Sequence, residues 1–323
     1  MIARRRWPLV LGLLALMGAS ARPAAAQDTH LLVIVGVGGS EEHSAKFHGW
    51  ATAVVDAAKE HGIAEGNVTY LGQQPGPEPG SPSARATRES VTQAFADIAK
   101  RAAPNDEVFV LLIGHGSFDG RQAAFNLSGP DLAAPDYARL LERLALQRVV
   151  FVNTASSSGA FLPVLAGPGR TIVTATKPGG ERNETRFPEF FVEALAGEEA
   201  DRDRNGRVSA LEAFDYARTR VVNSYEQGGH LLTEHAALDD GSEGKFAATQ
   251  YLAPPRSRTA EMANADPALR LLVEERDGLE QQVAALQQRK GSLDPAAYEQ
   301  QLEKLLTDLA LKSREIREFE AQK

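Results

Sequence analysis

The chain has 323 residues, 43% of them hydrophobic, and a formal net charge of −8. It contains no cysteine, which excludes disulfides, thiolate metal sites and thiol nucleophiles together. The acidic balance argues against nucleic acid and anionic membrane surfaces as partners.

Residues 1–26 read as an export signal. Arg4-Arg5-Arg6 opens it, Leu9 to Met17 is a short apolar run, and Ala24-Ala25-Ala26 offers a small-residue cleavage site before Gln27. The apolar run is too short to span a bilayer as a helix, so no stable membrane insertion is expected. The segment holds four of the 35 basic residues and no acid, so the mature chain sets 31 basic residues against 43 acidic ones. A soluble periplasmic or secreted protein is expected.

From there to about residue 253, Val/Ile/Leu-rich runs alternate with amphipathic stretches. This is the pattern of a mostly parallel sheet covered on both faces. Strands are predicted over Leu31–Val37, Val68–Leu71, Val108–Ile113, Val149–Asn153 and Thr171–Thr176. Helices are predicted over Ala45–His61, Ala84–Arg101, Ala134–Ala145, Phe187–Ala196 and Ala210–Tyr225. A Gly/Pro/Ser loop separates Gly72 from Ser83. Residues 254–265 read as a linker.

Two strand ends stand out. Val110 to Ile113 runs into Gly114-His115-Gly116-Ser117, and Val149 to Val152 runs into Asn153-Thr154-Ala155-Ser156-Ser157-Ser158-Gly159. Parallel strands would bring His115 and Ser156 together at the carboxyl edge of the sheet, where open α/β folds hold their ligands. A histidine between glycines is uncrowded and suited to proton transfer near neutrality.

The first of these loops resembles the histidine loop of the caspase/legumain-like cysteine peptidases, which carry His-Gly after their third strand. In those enzymes an Ala-Cys-x-Ser-Gly stretch follows the fourth strand. Here Ala155-Ser156-Ser157-Ser158-Gly159 matches that register, with Ser156 in the cysteine's place. The resemblance extends over about Thr29 to Phe246. It implies a caspase/hemoglobinase-like three-layer sandwich, with His115 as base and the Gly116 N–H as oxyanion donor. Two functional readings follow. In one, the protein is an inactive peptidase homologue that binds a protein or peptide partner, because a hydroxyl needs an activation that a thiol does not. In the other, Ser156 and His115 form a serine hydrolase. The loops Glu41-Glu42-His43 and Lys177–Arg186 lie where the resembling enzymes meet substrate, and Arg182 and Arg186 read as solvated charges.

Asp201-Arg202-Asp203-Arg204-Asn205-Gly206-Arg207-Val208-Ser209-Ala210-Leu211-Glu212 satisfies the EF-hand loop pattern. Calcium is a hard ion that takes six to eight oxygens. Side chains of Asp201, Asp203 and Asn205, the Arg207 carbonyl, Ser209 and a bidentate Glu212 would supply them. The alternative is a surface turn that caps the following helix. Asp239 to Gly244 is a second acidic turn without the full spacing.

Residues 266–323 differ again. Leu269, Leu272, Arg276, Leu279, Val283 and Leu286 form one three/four-spaced seam. Tyr298, Leu302, Leu305, Leu309, Lys312, Ile316 and Phe319 form another. Gly291 to Pro295 separates them with a stop, a cap and a first-turn proline. An antiparallel helical hairpin is expected, serving either as a docking or homo-oligomerisation arm or packing on its own domain.

Overall fold

The computed structural model describes residues 27–78, 80–177, 180–203, 205–252, 266–290 and 293–321. The expected export signal, the 254–265 linker, Arg204 and Gly291-Ser292 lie outside the described residues.

Seven strands form the main sheet. In chain order they are β1 (Thr29–Val35), β2 (Val68–Gly72), β3 (Ala84–Arg85), β4 (Glu107–Ile113), β8 (Arg148–Asn153), β9 (Arg170–Thr174) and β10 (Ala237–Asp239). Their spatial order is β10-β9-β8-β4-β1-β2-β3. All pairings are parallel except that of β10 with β9. A second, antiparallel sheet follows β4 directly: β5 (Gly116–Phe118), β6 (Ala123–Phe125) and β7 (Leu132–Ala133).

The central strands are buried on both faces, which is why they read as unbroken apolar runs. Alternate residues serve different cores. Leu31, Val33, Val35, Phe109, Leu111 and Val152 pack under helices α1 (Glu41–Glu60), α5 (Phe187–Ala196) and α6 (Ala210–Gln227). Leu32, Ile34, Val110, Leu112 and Phe151 pack under α2 (Arg88–Arg101) and α3 (Ala134–Leu141). The result is a three-layer α/β sandwich. Each fully buried Leu, Ile or Phe contributes about 1.5–3 kcal/mol relative to exposure.

Caps set the helix starts. Ser40 accepts the His43 N–H, so α1 begins at Glu41 rather than Ala45, with Glu41 and Glu42 against the positive end of the helix. Thr87 and Ser90 form a reciprocal capping box, which starts α2 at Arg88. Ala84 and Arg85, expected within that helix, instead pair with Leu71 and Gly72 as an edge strand. The helix expected over Ala134–Ala145 tightens to a 3₁₀ turn after Leu141.

The C-terminal hairpin comprises α7 (Pro267–Gln288) and α8 (Pro295–Ala321). Leu269 packs with Ile316, and Val283 and Leu286 pack with Tyr298 and Leu302, so the helices run antiparallel. Asp294 accepts the N–H groups of Ala296 and Ala297 and starts α8. Both basic interruptions of the seam are paired. Arg276, 4% exposed, bonds Asp277, and Lys312 bridges Glu275 and Glu315. Among the described residues no helix is long and apolar enough to cross a membrane.

Candidate functional site

Strands β4 and β8 are direct neighbours, with Leu112 opposite Asn153, so their carboxyl ends deliver both loops to one place. The Thr154 N–H and hydroxyl both bond the Leu112 carbonyl, at 3.1 and 2.8 Å, and tie the second loop to the first strand. Gly116 and Ser156 then touch. The Ser156 hydroxyl donates to the Gly116 carbonyl at 3.2 Å and receives the Gly116 N–H at 3.4 Å. A Cβ on residue 116 would sit 2.2 Å from the Ser156 carbonyl oxygen, so only glycine admits this approach.

The two serines after Ser156 have structural work. Ser157 adopts a left-handed φ of 58°, and its N–H bonds the Glu181 carbonyl at 2.7 Å. The Ser158 hydroxyl receives the N–H groups of Ala175 and Thr176 at the end of β9. Glu181 is itself fixed. Its carboxylate takes the His235 backbone N–H and meets the His235 ring nitrogen at 2.5 Å.

His115 is half-buried beside this loop. Its Nε2 lies 3.1 Å from the Gly38 carbonyl, which can only accept, so Nε2 carries a proton and Nδ1 is the basic nitrogen of the neutral ring. The ring packs edge-on against Phe47 and His43, at centroid distances of 5.1 and 5.2 Å. His43 bonds Ser40 through Nδ1 at 2.8 Å and Glu184 through Nε2 at 3.2 Å, and Lys46 meets the other Glu184 oxygen at 3.4 Å. Partial burial pushes the Glu184 carboxyl upward, but His43 and Lys46 outweigh it and hold the group below its ordinary range. Glu184 therefore ties Lys46 to His43, the ring that packs against His115. Asp119, the acid nearest His115 in the chain, accepts the N–H groups of Arg121 and Gln122 in its own turn.

Arg186 departs from the solvated-charge expectation. Its guanidinium bonds the Ser224 carbonyl and hydroxyl and lies 4.6 Å from the Tyr225 ring centre. Arg182 stacks over Phe118 at 5.9 Å. Neither pairing could be read from spacing, because both partners come from remote segments.

The acidic loop lies between α5 and α6. Ligand-type oxygens of Asp201, Asp203 and Glu212 fall within 4.8 Å of one another. Gly206, at φ +80°, makes the turn that brings them together. Asp201 accepts the N–H groups of Asn205 and Gly206, and Asn205 Oδ1 accepts that of Arg207. Ser209 N-caps α6 in a capping box with Glu212, which is the helix-capping alternative of this sequence. Burial, then the nearby Glu212 and Asp201 charges, raise the Asp203 carboxyl to about 6. Three hard anionic donors held this close suit a divalent cation with oxygen preference. The second acidic turn is a closed hydrogen-bonded loop, in which Asp240 accepts the N–H groups of Ser242, Gly244, Phe246 and Ala247.

Sequence reasoning missed the Gly38 carbonyl against His115 and the pairing of Glu184 with His43 and Lys46. Gly38 acts through its backbone, and Glu184 lies 141 residues from His43, so neither had a local signal. Among known proteins, no family model and no curated protein matches the chain. Among solved structures, protein GSU0716 from Geobacter sulfurreducens is similar at 15% identity and a TM-score of 0.40, covering 66% of this chain and 92% of its own.

Proposed function

We propose that this protein is an exported, catalytically inactive relative of the caspase/legumain-like peptidases. It keeps the fold's cleft for a protein or peptide partner and holds calcium in an EF-hand-type loop. The resemblance draws support from the chain order of the sheet. Leaving aside the two-residue edge strand β3, His115 follows the third strand and Ser156 the fourth.

One observation carries the inactive reading. The Ser156 hydroxyl is spent on the Gly116 backbone, and the His115 ring is bonded to Gly38. A serine nucleophile needs an adjacent base within hydrogen-bond reach, and here its oxygen has the Gly116 backbone instead. The same contact engages the Gly116 N–H, which the resemblance assigns to the oxyanion. The serine-hydrolase reading rests on the Gly38 carbonyl alone, since that contact leaves Nδ1 of His115 free to act as a base.

Calcium would take carboxylate oxygens from Asp201, Asp203 and Glu212, the Asn205 amide oxygen, the Arg207 carbonyl and Ser209, directly or through water. Bound there, it would neutralise three clustered carboxylates and tie α5 to α6. No reaction step passes through it.

The test uses residues 27–323 with calcium present and a fluorogenic peptide library varied at the cleavage position. Turnover no greater than that of Ser156→Ala is expected. Turnover abolished by Ser156→Ala and by His115→Ala would establish the hydrolase instead. Calorimetry with calcium is expected to give a saturable heat that Glu212→Ala removes. Neither heat nor a melting shift at millimolar calcium would end the calcium reading.

A further inference from the structure

The hairpin's apolar seam is internal: Leu269 meets Ile316, and Val283 and Leu286 meet Tyr298 and Leu302. Its described side-chain bonds to the α/β layers are of a different chemistry. Glu280 on α7 pairs with Arg207 at 3.3 Å and with Arg276 at 3.9 Å. These side chains are only 7%, 10% and 5% exposed, so the ionic chain is shielded from solvent. The Arg207 guanidinium also lies 3.6 Å from the centre of the Tyr251 ring. Tyr251 in turn forms a β-bridge with Ser209. A second polar tie joins Lys290 to the Gly241 carbonyl.

Arg207 and Ser209 belong to the acidic loop, at the positions whose backbone and side chain face the ion in the calcium reading. The residue that would turn its carbonyl to the cation thus sends its side chain into the joint with the hairpin. A buried charge pair is strongly disfavoured once one partner is displaced. Any disorder in the loop that moves Arg207 leaves Glu280 facing Arg276 alone.

We infer that the hairpin is an arm whose docked position and the cation occupancy of the 201–212 loop are one coupled equilibrium, joined through Arg207, Tyr251 and Glu280. This rests on the calcium reading of that loop. Calcium fixes Arg207 and favours the docked arm, and by reciprocity the docked arm raises calcium affinity. Loss of calcium releases the arm, which keeps its own seam and presents the Glu280 face of α7. The protein then reports calcium as a change in arm position, with no chemistry at Ser156.

The absence of native cysteine makes the test simple, because introduced cysteines are unique labels. Spin labels at Lys59→Cys on α1 and Gln300→Cys on α8 report docking in residues 27–323. Calorimetry with calcium chloride reports affinity in the unlabelled protein. Adding calcium is expected to narrow the distance distribution to one docked population. Glu280→Gln, close in size, is expected to weaken calcium affinity about 5- to 20-fold, within the range of ordinary site–site coupling. It is also expected to broaden the distribution at subsaturating calcium. Glu299→Gln, on the exposed side of α8, is expected to change neither. Calcium binding with unchanged affinity in Glu280→Gln and an unchanged distance distribution would overturn the coupling and leave the calcium site standing. No heat in the wild-type protein would overturn both.

Discussion

Replacing Gly116 with alanine puts the contact between the two site loops under direct strain. The new Cβ would lie 2.2 Å from the Ser156 carbonyl oxygen and 3.3 Å from the Ala155 Cβ. The first is a backbone atom, and its loop has little freedom. Ser157 is held by Glu181, Ser158 by the end of β9, and Thr154 by Leu112. Relief requires the histidine loop to move by about 1 Å, which breaks both hydrogen bonds between Gly116 and Ser156. Overpacking of this kind costs about 1–3 kcal/mol, and each lost hydrogen bond about 1 kcal/mol. A loss of about 3–5 kcal/mol in unfolding free energy is expected. The assay is equilibrium urea denaturation of residues 27–323, followed by circular dichroism. Gly49→Ala on α1 is the control. Its Cβ meets nothing within 4 Å, so helix propensity alone should add up to about 1 kcal/mol. A Gly116→Ala protein within about 0.5 kcal/mol of wild type would refute the juxtaposition of the His115 and Ser156 loops.

Two further perturbations examine the frame around the site. Burial pushes the Glu107 carboxyl up to about 7, with the Arg148 charge and the Gln250 amide holding it down in part. A carboxyl raised above its unfolded value favours folding in its protonated form. Its contribution is full below about pH 4 and is lost as pH rises to about 7, a change on the order of 1–3 kcal/mol. Urea melts from pH 4.5 to 8 should show that decline, and Glu107→Gln should flatten it; an unchanged slope in the variant would exclude Glu107 as its source. Leu302, 2% exposed between α7 and α8, should cost about 2–5 kcal/mol of hairpin stability when truncated to alanine. Hydrogen exchange of α7 and α8 measures this, and exchange unchanged from wild type would mean that the seam is not what joins the two helices.

How much of this was legible in the sequence depended on the range of the interactions. β1, β4 and β8 announced themselves because burial on both faces gives long apolar runs. The hairpin did so because its seam repeats every three or four residues. Phe187–Ala196 matched to the residue, since Pro188 opens that helix and Gly197 ends it. The sheet β5-β6-β7 and the strand β10 were missed. They are two or three residues long, too short for any period to register. The start of α2 was misplaced because Ala84 and Arg85 carry no strand signal and join the sheet only through β2.

The juxtaposition of the His115 and Ser156 loops was legible from strand ends, and the closeness of Asp201, Asp203 and Glu212 from their spacing. What could not be read were partners brought in by the fold: the Gly38 carbonyl against His115, Glu184 between His43 and Lys46, and Glu280 against Arg207. These partners shape the functional reading, for they hold His115 and its neighbour His43 and tie the hairpin to the acidic loop.

The most direct test of the inactive reading is labelling of residues 27–323 by a fluorophosphonate probe with calcium present, beside Ser156→Ala and His115→Ala. The account predicts no labelling of the folded wild-type protein above either variant. Labelling of the wild type that disappears in both variants would contradict it, and would make Ser156 an activated nucleophile.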